Sequence, residues 1–159
     1  MAKKSKKSDF IAFGTVAENH RARFDYNINE TYTAGLVLLG TEVKSLRLGH
    51  ANIRDAYGII EKDELYMSNM FIAAYDNQGY ASHAERRNRK LLLNRREVIK
   101  IINELSRKGS TLVALKLFFD SHGRAKLDIG LGTGKKIYDK REATKERDWN
   151  REKARLMAH

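Results

Sequence analysis

The sequence predicts a mainly β protein, a small closed antiparallel barrel flanked by short helices, with a C-terminal tail that is disordered when free. Residues 23–29 and 124–131 alternate apolar with polar side chains, as strands with one buried face do. Several further short apolar segments are separated by polar turn residues and Gly, and the chain contains no Pro. A closed barrel suits such strands because closure leaves no exposed sheet edge.

The first predicted strands are followed by a short helix. Residues 32–39 continue the alternating segment 23–29 as an apolar strand. Thr41 is predicted to cap the helix, and Gly49 is predicted to end it. The apolar face of the alternating segment consists of Phe24, Tyr26 and Ile28.

A hairpin and a longer helix are predicted in the middle of the chain. Residues 57–61 and 65–71 are apolar segments on either side of a polar turn, whereas residues 76–88 are polar and predicted to form a long loop. Asn94 is a suitable N-cap for a helix at residues 95–108. The buried stripe of this helix is predicted to consist of Val98, Ile101, Ile102 and Leu105.

Two strands are predicted after Gly109, which ends this helix. A turn at residues 121–123 separates them. The inward face of the first strand is predicted to hold Val113, Leu115, Leu117 and Phe119. The second strand is predicted to point its charged residues outward and to direct inward Ala125, Leu127, Ile129 and Leu131.

The charge of the chain predicts a polyanionic partner. Its 159 residues include 31 Lys and Arg against 20 Asp and Glu, a net charge of +11. Such an excess favours RNA, DNA or an acidic membrane surface. The absence of Cys excludes disulfides and thiolate metal sites and fits a cytoplasmic location. We find neither the apolar run of about 18 residues that a membrane span needs nor the apolar stretch of a secretory signal.

Composition divides the chain into three regions. Residues 1–9 are predicted to be a flexible basic arm, residues 10–133 an RNA-binding β-barrel domain, and residues 134–159 a basic tail. The tail has few large apolar side chains, so burial cannot offset the entropy of ordering it. It is nevertheless rich in helix-forming residues. We therefore expect the tail to become helical only on a partner, where Tyr138 and Trp149 can stack on unpaired bases.

Positive charge is concentrated in two segments and on the predicted short helix. Residues 86–96 (RRNRKLLLNRR) carry basic side chains on both sides of an apolar triplet, and residues 19–23 (NHRAR) form the second segment. Lys44 and Arg47 lie one turn apart on the helix. Each group alone is also compatible with a solvated surface. Together they indicate a surface for a phosphate backbone, because a solvated face usually mixes charges of both signs.

Catalysis and metal binding find little support in the sequence. The turn at residues 132–136 (GTGKK) does not match a phosphate loop, so we interpret it as a hinge whose lysines contact phosphate. The five His residues lack the spacing of metal ligands. A nuclease that uses Asp139 and Glu142 is a minor alternative. We expect no enzyme activity, no metal and no cofactor.

Four segments together resemble the small protein B family, the SsrA-binding proteins. The segments are NHRARFDY (residues 19–26), AGLVLLGTEVKSLRLGHAN (34–52), RNRKLLLN (87–94) and GKKIYDKR with the tail that follows it (from 134). The resemblance covers the chain from about residue 10 to its end. Its most specific motifs, in this order, are GTEVKSLR, RKLLL and GKK-x-x-DKR.

The resemblance implies a fold, a partner and a mechanism. The fold would be an oligonucleotide-binding-like barrel with flanking helices, and this barrel would bind the tRNA-like domain of transfer-messenger RNA. The tail would enter the decoding site and the empty message channel of a stalled ribosome and become helical there. The chain would thereby deliver the RNA for trans-translation. Elongation factor Tu would be an indirect partner through the charged RNA, and no membrane would be involved.

The charge clusters and the resemblance give two sets of candidate residues. The RNA-binding set is Asn19, Arg21, Arg23, Lys44, Arg47, Arg86, Arg87, Arg89, Lys90, Leu92, Lys135 and Lys136. The ribosome-binding set in the tail is Gly134, Tyr138, Asp139, Lys140, Arg141, Lys145, Arg147, Trp149, Arg151, Lys153 and Arg155. The RNA-facing positions that the resemblance itself implies are Asn19, Arg21, Arg89, Lys90 and Leu92.

Four positions depart from the usual pattern of that family. His20 stands where a second basic residue is usual, and Phe24 replaces a common His. Thr33 replaces a Glu that often precedes Ala-Gly, so the hydrogen bond of that carboxylate is not expected here. Thr133 replaces a common Lys or Arg, which removes one expected phosphate contact.

Two further functions stay open on the residues alone. A general basic ribosome-associated RNA-binding protein, or an RNA chaperone, would carry the same charge without a dedicated RNA partner. A membrane-surface protein would need a strongly amphipathic tail. On a helix, however, Trp149, Lys153 and Leu156 form an apolar face that is too thin for stable insertion.

Overall fold

The computed structural model describes residues 10–75, 82–135 and 137–158. The predicted basic arm, part of the predicted loop at 76–88, and Lys136 lie outside the described residues. In chain order the described elements are β1 (Gly14–Glu18), α1 (Ala22–Asp25), β2 (Tyr26–Leu36), α2 (Gly40–Arg47), β3 (Ala51–Asn52), β4 (Tyr57–Glu61), β5 (Glu64–Ser68), β6 (Phe71–Ile72), β7 (Arg89–Leu92), α3 (Arg95–Leu105), β8 (Ser110–Phe119), β9 (Ala125–Gly134) and α4 (Ile137–Met157).

Six antiparallel strands form a ring. The larger sheet has the order β1-β8-β4-β5-β7-β2-β9, and β9 also pairs with β8, which brings the sheet back on itself. Strand β1 lies outside the ring order as a further partner of β8. The short strands β3 and β6 pair separately. The prediction of a mainly β fold with short helices is confirmed.

The hydrophobic core lies within the ring and beneath the two middle helices. Side chains from most ring strands meet there, including the predicted inward residues Leu127, Ile129 and Leu131 of β9. Helix α2 contributes Leu46 and helix α3 contributes Ile101, both fully buried. The amphipathic pattern of α3 is confirmed, since its other predicted apolar residues pack against the same core.

The β4–β5 hairpin is also confirmed, and its turn type is now defined. Lys62 and Asp63 connect the two strands, and both have positive φ angles, of 50° and 60°. Two successive left-handed residues are the mark of a type I′ turn, whose twist matches that of the flanking strands. Because neither residue is Gly, this turn places two side chains in a conformation that costs them energy.

The predicted start of the first alternating strand was wrong. The chain forms one helical turn at Ala22–Asp25, and β2 begins only at Tyr26. A register shift between Ile28 and Glu30 then exchanges the two faces of β2. Tyr26 and Ile28 therefore pack on the outer side of the ring, in a small second cluster with buried Ala22. Helix α1 forms here because it covers this cluster.

Strand β8 departs from strict alternation for the same reason. A register shift between Ala114 and Lys116 leaves Leu117 and Phe119 in the main core, but Val113 and Leu115 in the outer cluster. The prediction that all four share one face was therefore wrong. A β-bulge inserts one residue and exchanges the faces, and a period of two in the sequence does not reveal it.

Gly132 lets strands β2 and β9 approach each other beside these bulges. A Cβ atom at this position would lie 2.0 Å from the backbone oxygen of Asn27. We expect Gly132→Ala to lower the free energy of unfolding by about 3 kcal/mol, because the two backbones must separate. Urea unfolding followed by far-ultraviolet circular dichroism measures this difference.

Gly40→Ala is the matched control for that substitution. Within the described residues, no atom beyond its chain neighbours and the backbone of its own helix lies within 4 Å of the position that its Cβ would occupy. Its unfolding free energy should change by less than about 0.5 kcal/mol. A loss of the same small size in Gly132→Ala would contradict the close approach of β2 and β9.

Helix α2 begins differently from the prediction. Leu39, not Thr41, is its N-cap residue, and its backbone N–H donates to the Glu42 carboxylate at 3.0 Å. The Thr41 hydroxyl instead lies 2.9 Å from Nδ1 of His83, which joins the helix to the segment after residue 81. The predicted end of this helix is confirmed, since Gly49 has a φ of 77°.

The tail forms helix α4, of 21 residues, in this structure. Its described side chains from Thr144 onward are exposed, including Trp149 with an exposed fraction of 66%. One contact with the body is a cation–π pair in which the Arg147 guanidinium lies 5.1 Å from the centre of the Phe24 ring. The predicted disorder of the free tail is therefore not confirmed. Its described side chains from Thr144 onward include no buried apolar one, which agrees with the composition.

Candidate nucleic-acid interface

The segment between β1 and β2, residues 19–25, is fixed to the rest of the body by hydrogen bonds of the Asn19 side chain. Asn19 Nδ2 donates to the backbone oxygens of Ala114, at 3.0 Å, and Arg54, at 3.3 Å. These hydrogen bonds attach the start of the α1 turn to β8. Asn19 therefore positions this segment through Nδ2, and its side-chain oxygen is not used by these two hydrogen bonds.

Helix α1 presents two exposed arginines. Arg21 lies 3.7 Å from the Asp25 carboxylate and 5.6 Å from the centre of the Phe24 ring, so part of its charge is offset locally. Arg23 is exposed, and it lines clefts on both sides of the start of β2. Of these two arginines, Arg21 is paired with Asp25, whereas Arg23 has no ion pair within the described residues and faces open clefts.

The beginning of the tail lies beside the same helix. The Lys135 backbone N–H donates to the Asp25 backbone oxygen at 2.9 Å. Lys135 also shares a cleft with Arg23, at the junction of β2 and β9. The structure therefore brings together two candidates that are 112 positions apart in the sequence, 23 and 135.

Arg89 has a different place from the predicted one. Its side chain is fully buried, forms an ion pair with Glu42, and donates to the backbone oxygens of Met70 and Glu85. This burial favours a role in supporting the chain around Arg89, and the direct RNA contact implied for Arg89 stays a prediction.

Glu42 is the centre of this buried network. Its carboxylate accepts hydrogen bonds from Arg87, from Arg89 and from the Leu39 backbone. Burial alone would raise the pKa of Glu42, but the hydrogen bonds from Arg87, Leu39 and Arg89 outweigh it and hold the pKa below its usual value. The ionised carboxylate thereby fastens α2 to the segment that precedes β7.

The remaining basic residues of that segment are at the surface with partners of their own. Arg86 donates to Asn69 Oδ1 at 2.9 Å, and its guanidinium lies 5.4 Å from the centre of the Phe71 ring. Lys90 forms an ion pair of 3.0 Å with Glu64. Leu92 is half exposed on the outer side of β7. An RNA that binds here would have to compete with weak, solvent-screened pairs.

The predicted basic edge of α2 is only partly present. Lys44 is exposed, with its ammonium 5.6 Å from the centre of the Tyr75 ring. Arg47, by contrast, donates to the backbone oxygens of Ile11, Ala12 and Gly123, and its guanidinium lies over the Phe119 ring at 3.8 Å. Arg47 thus fastens chain segments together in this structure, and its contact with a phosphate backbone stays a prediction.

The candidates of the tail are less fully described. The side chains of Tyr138, Asp139, Lys140 and Glu142 lie outside the described part of the chain, so the nuclease alternative has no geometry here. The exposed side chains on α4 include Arg141, Lys145, Arg147, Trp149, Arg151, Lys153 and Arg155. Within the described ranges, no cluster of three or more His, Asp or Glu residues could hold a metal ion.

Sequence reasoning missed several residues that line the clefts beside α1. Lys116 and Asp128 line the cleft of Arg23, and Arg54 and Tyr57 line the one of Arg21. The predicted alternation of the second strand already points Asp128 outward, and alternation in the first strand gives Lys116 the same direction, but the proximity of β8 to α1 could not be inferred. No helix within the described residues is long and apolar enough to cross a membrane.

A small antiparallel β domain whose outer face carries exposed cations beside polar clefts is typical of nucleic-acid-binding proteins. The family model described as SmpB protein matches residues 16–159. The chain belongs to this family.

Individual relatives support the same assignment. The SsrA-binding protein of Mesorhizobium japonicum is 52% identical over 143 residues, which is 90% of each chain. That of Agrobacterium fabrum is 54% identical over 142 residues, which is 89% of each chain. A solved chain described as "tmRNA-SmpB: a journey to the center of the bacterial ribosome" is 46% identical, with a TM-score of 0.66, and the match covers 80% of this chain and 93% of that one.

Proposed function

We propose that this chain binds transfer-messenger RNA and delivers it to stalled ribosomes for trans-translation. The observation that carries the proposal is the identity of about half of all positions, over nine-tenths of the chain, with a protein named for binding SsrA. The exposed cations beside the α1 clefts give the proposal a physical basis, because they can neutralise RNA phosphates. The location would be cytoplasmic, and the function requires no catalysis and no cofactor.

The proposal divides the work between the body and the tail. The body, residues 10–133, would be an oligonucleotide-binding-like barrel that binds the tRNA-like domain with its outer face. The tail, residues 134–159, would enter the decoding site and message channel of a ribosome that lacks message. Helix α4 is exposed along its described length, so its basic side chains and Trp149 are available for such a partner. Elongation factor Tu would be contacted through the charged RNA.

Within the body, the proposal assigns direct RNA contact to surface residues and support to buried ones. Arg23 and Lys44 of the body, together with Lys135 at the start of the tail, would contact phosphates. Arg21, Arg86 and Lys90 would exchange their present partners for RNA. Arg89 and Glu42 would instead hold the segment before β7 in place from within. Shape and 2′-hydroxyl contacts would supply selectivity, because an RNA helix hides its base edges in a deep groove.

The test of this function is the identity of the RNA that copurifies with the chain. Affinity-tagged protein is recovered from a bacterial lysate in moderate salt, and the bound RNA is sequenced. We expect one dominant species, transfer-messenger RNA. A mixture of many RNAs in proportion to their abundance would instead favour a general RNA chaperone and would contradict the proposal.

Arg23→Ala should weaken RNA binding through the electrostatic part of the affinity. Each lost phosphate contact lowers the slope of log K against log salt by about 0.9. We therefore expect the slope to fall by about one in titrations of the tRNA-like domain between low and moderate salt. Arg107→Ala is the charge-matched control, since Arg107 is an exposed residue after α3 that pairs with Glu104 at 3.2 Å. Equal slopes in both variants would remove Arg23 from the interface.

A further inference from the structure

Four side chains form a continuous row across four neighbouring strands on the outer face. Glu18 of β1 lies opposite Lys116 of β8, Lys116 lies opposite Asp128 of β9, and Asp128 lies opposite Thr33 of β2. Their outward direction follows from the burial of the residues next to them, such as Leu117 and Leu127. The row is the floor of the cleft that Arg23 and His20 also line.

Asp128 is unusual among the members of this row. The Thr33 hydroxyl donates to its Oδ1 at 2.6 Å, and this contact fixes the direction of the carboxylate. Within the described residues, no Lys or Arg lies within ion-pair distance of Asp128, although Lys116 is its strand neighbour. The Thr33 bond goes to Oδ1, and no donor within the described residues bonds to the second oxygen of Asp128.

An unpaired carboxylate in a cleft for RNA needs a physical reason. Next to phosphates it would be repelled, because like charges brought together at an interface cost several kcal/mol. A carboxylate is, however, a strong acceptor, and hydrogen bonds to charged groups are stronger than neutral ones. RNA offers suitable donors, which are the ribose 2′-hydroxyl and the amino groups of unpaired bases.

We propose that Asp128, oriented by Thr33, accepts a hydrogen bond from one ribonucleotide of the bound RNA. Arg23 and Lys116 line the same cleft as Asp128, and in this assignment they hold the phosphates that flank this nucleotide. Asp128 thus recognises a hydrogen-bond donor on a sugar or a base. The surrounding cations attract phosphates and therefore contribute affinity without this selectivity. This assignment rests on the proposed function, because it presupposes that the cleft binds RNA.

Asp128→Asn tests the assignment by the sign of its effect. Asn has the same shape. Because the Thr33 hydroxyl donates to the amide oxygen, its NH₂ group faces the RNA donor and cannot accept. We expect the affinity for the tRNA-like domain to fall at least about tenfold, as for loss of a hydrogen bond to a charged group. The salt slope should stay unchanged because no phosphate contact is lost. Equal or tighter binding would overturn the assignment, since removal of a negative charge from an RNA surface otherwise favours binding.

Glu18→Gln and Thr33→Val serve as companion variants. Glu18→Gln makes the same change of charge at the β1 end of the row, two strands from Asp128, and its affinity should be equal to or slightly above that of the wild type. A tenfold loss in Glu18→Gln as well would show a general effect of the row and would overturn the role of Asp128.

Thr33→Val keeps the carboxylate but removes its orienting donor, so we expect a smaller loss. Unchanged binding in Thr33→Val would contradict that orienting role.

Deoxy-substituted RNA identifies the donor and separates this inference from the function. If the donor is a 2′-hydroxyl, the penalty of Asp128→Asn disappears on RNA with a 2′-deoxy sugar at that nucleotide. If it is a base amino group, the penalty persists on every deoxy-substituted RNA. A wild-type chain that fails to bind the tRNA-like domain would contradict the proposed function. Wild-type binding together with unweakened binding of Asp128→Asn would contradict the present assignment alone.

Discussion

Replacing Glu42 with Ala is expected to lower the free energy of unfolding by about 3–5 kcal/mol, the cost of leaving a buried charge without its partner. Glu42 and Arg89 are both fully buried and form an ion pair, so the substitution strands the Arg89 guanidinium away from water. It also removes the acceptor of the Arg87 side chain and of the Leu39 backbone N–H. Equilibrium unfolding in urea measures the loss.

Glu64→Ala is the matched control for this effect. Glu64 also accepts from a cation, Lys90, at 3.0 Å, but both side chains are at the surface. An exposed pair contributes less than about 1 kcal/mol, because solvent screens it. A loss as small as this in Glu42→Ala would show that Arg89 finds water or another acceptor, and would contradict the central place of Glu42 in the network.

Truncation after Gly134 is expected to reduce the tagging of stalled nascent chains to background. The truncated chain lacks α4 and every ribosome-binding candidate beyond Gly134, so no part of it can occupy the decoding site or message channel. Reconstituted translation of a message without a stop codon, in the presence of charged transfer-messenger RNA, measures the tagging. Tagging at the wild-type level would contradict the role of the tail.

The unfolding free energy of the truncated chain is the control. The buried hydrophobic residues of the described chain lie between Ala22 and Leu131, and α4 contributes none of them. We therefore expect the body to keep its stability within about 0.5 kcal/mol, as for changes at exposed sites. A large loss of stability would mean that loss of tagging reflects an unfolded body and not a missing tail.

The parts of the fold that the sequence predicts correctly are those with a local, periodic signal. Helix α3 repeats its apolar residues at helical spacing behind Asn94, and β9 carries an apolar side chain at every second position from Ala125 to Leu131. The β4–β5 hairpin connects segments that are adjacent in the chain. Such elements can be inferred because each depends on residues within one short window.

The incorrect predictions concern features of the fold that depend on contacts between residues distant in the sequence. Helix α1 is a single turn that forms over an outer cluster containing Val113 and Leu115 of β8, and the alternation of residues 23–29 conceals it. The bulges of β2 and β8 exchange faces for reasons of packing between strands. A window of sequence contains no information on either event.

The candidate site shows the same limit. The cluster of basic residues at 86–90 predicts a positive charge in this segment, but it does not predict which of these side chains point to the surface. The partner that buries Arg89 is 47 positions away in α2. Arg47 is likewise occupied by backbone oxygens of two distant segments. Arg23 belongs to a basic segment that the sequence shows directly, whereas Lys116 and Asp128 are brought to the same cleft by the pairing of β8 and β9.

The affinity of residues 1–136 for the isolated tRNA-like domain tests the central claim most directly. That claim is that the folded body and the two lysines that follow Gly134 hold the RNA, and that the rest of the tail contributes on the ribosome. Fluorescence titration of the labelled RNA at fixed salt should give dissociation constants within about twofold for the full chain and this shorter chain, because the shorter chain keeps Lys135, Lys136 and every other residue of the RNA-binding set. A loss of affinity of tenfold or more, about 1.4 kcal/mol, would place essential RNA contacts in the tail and would contradict the account.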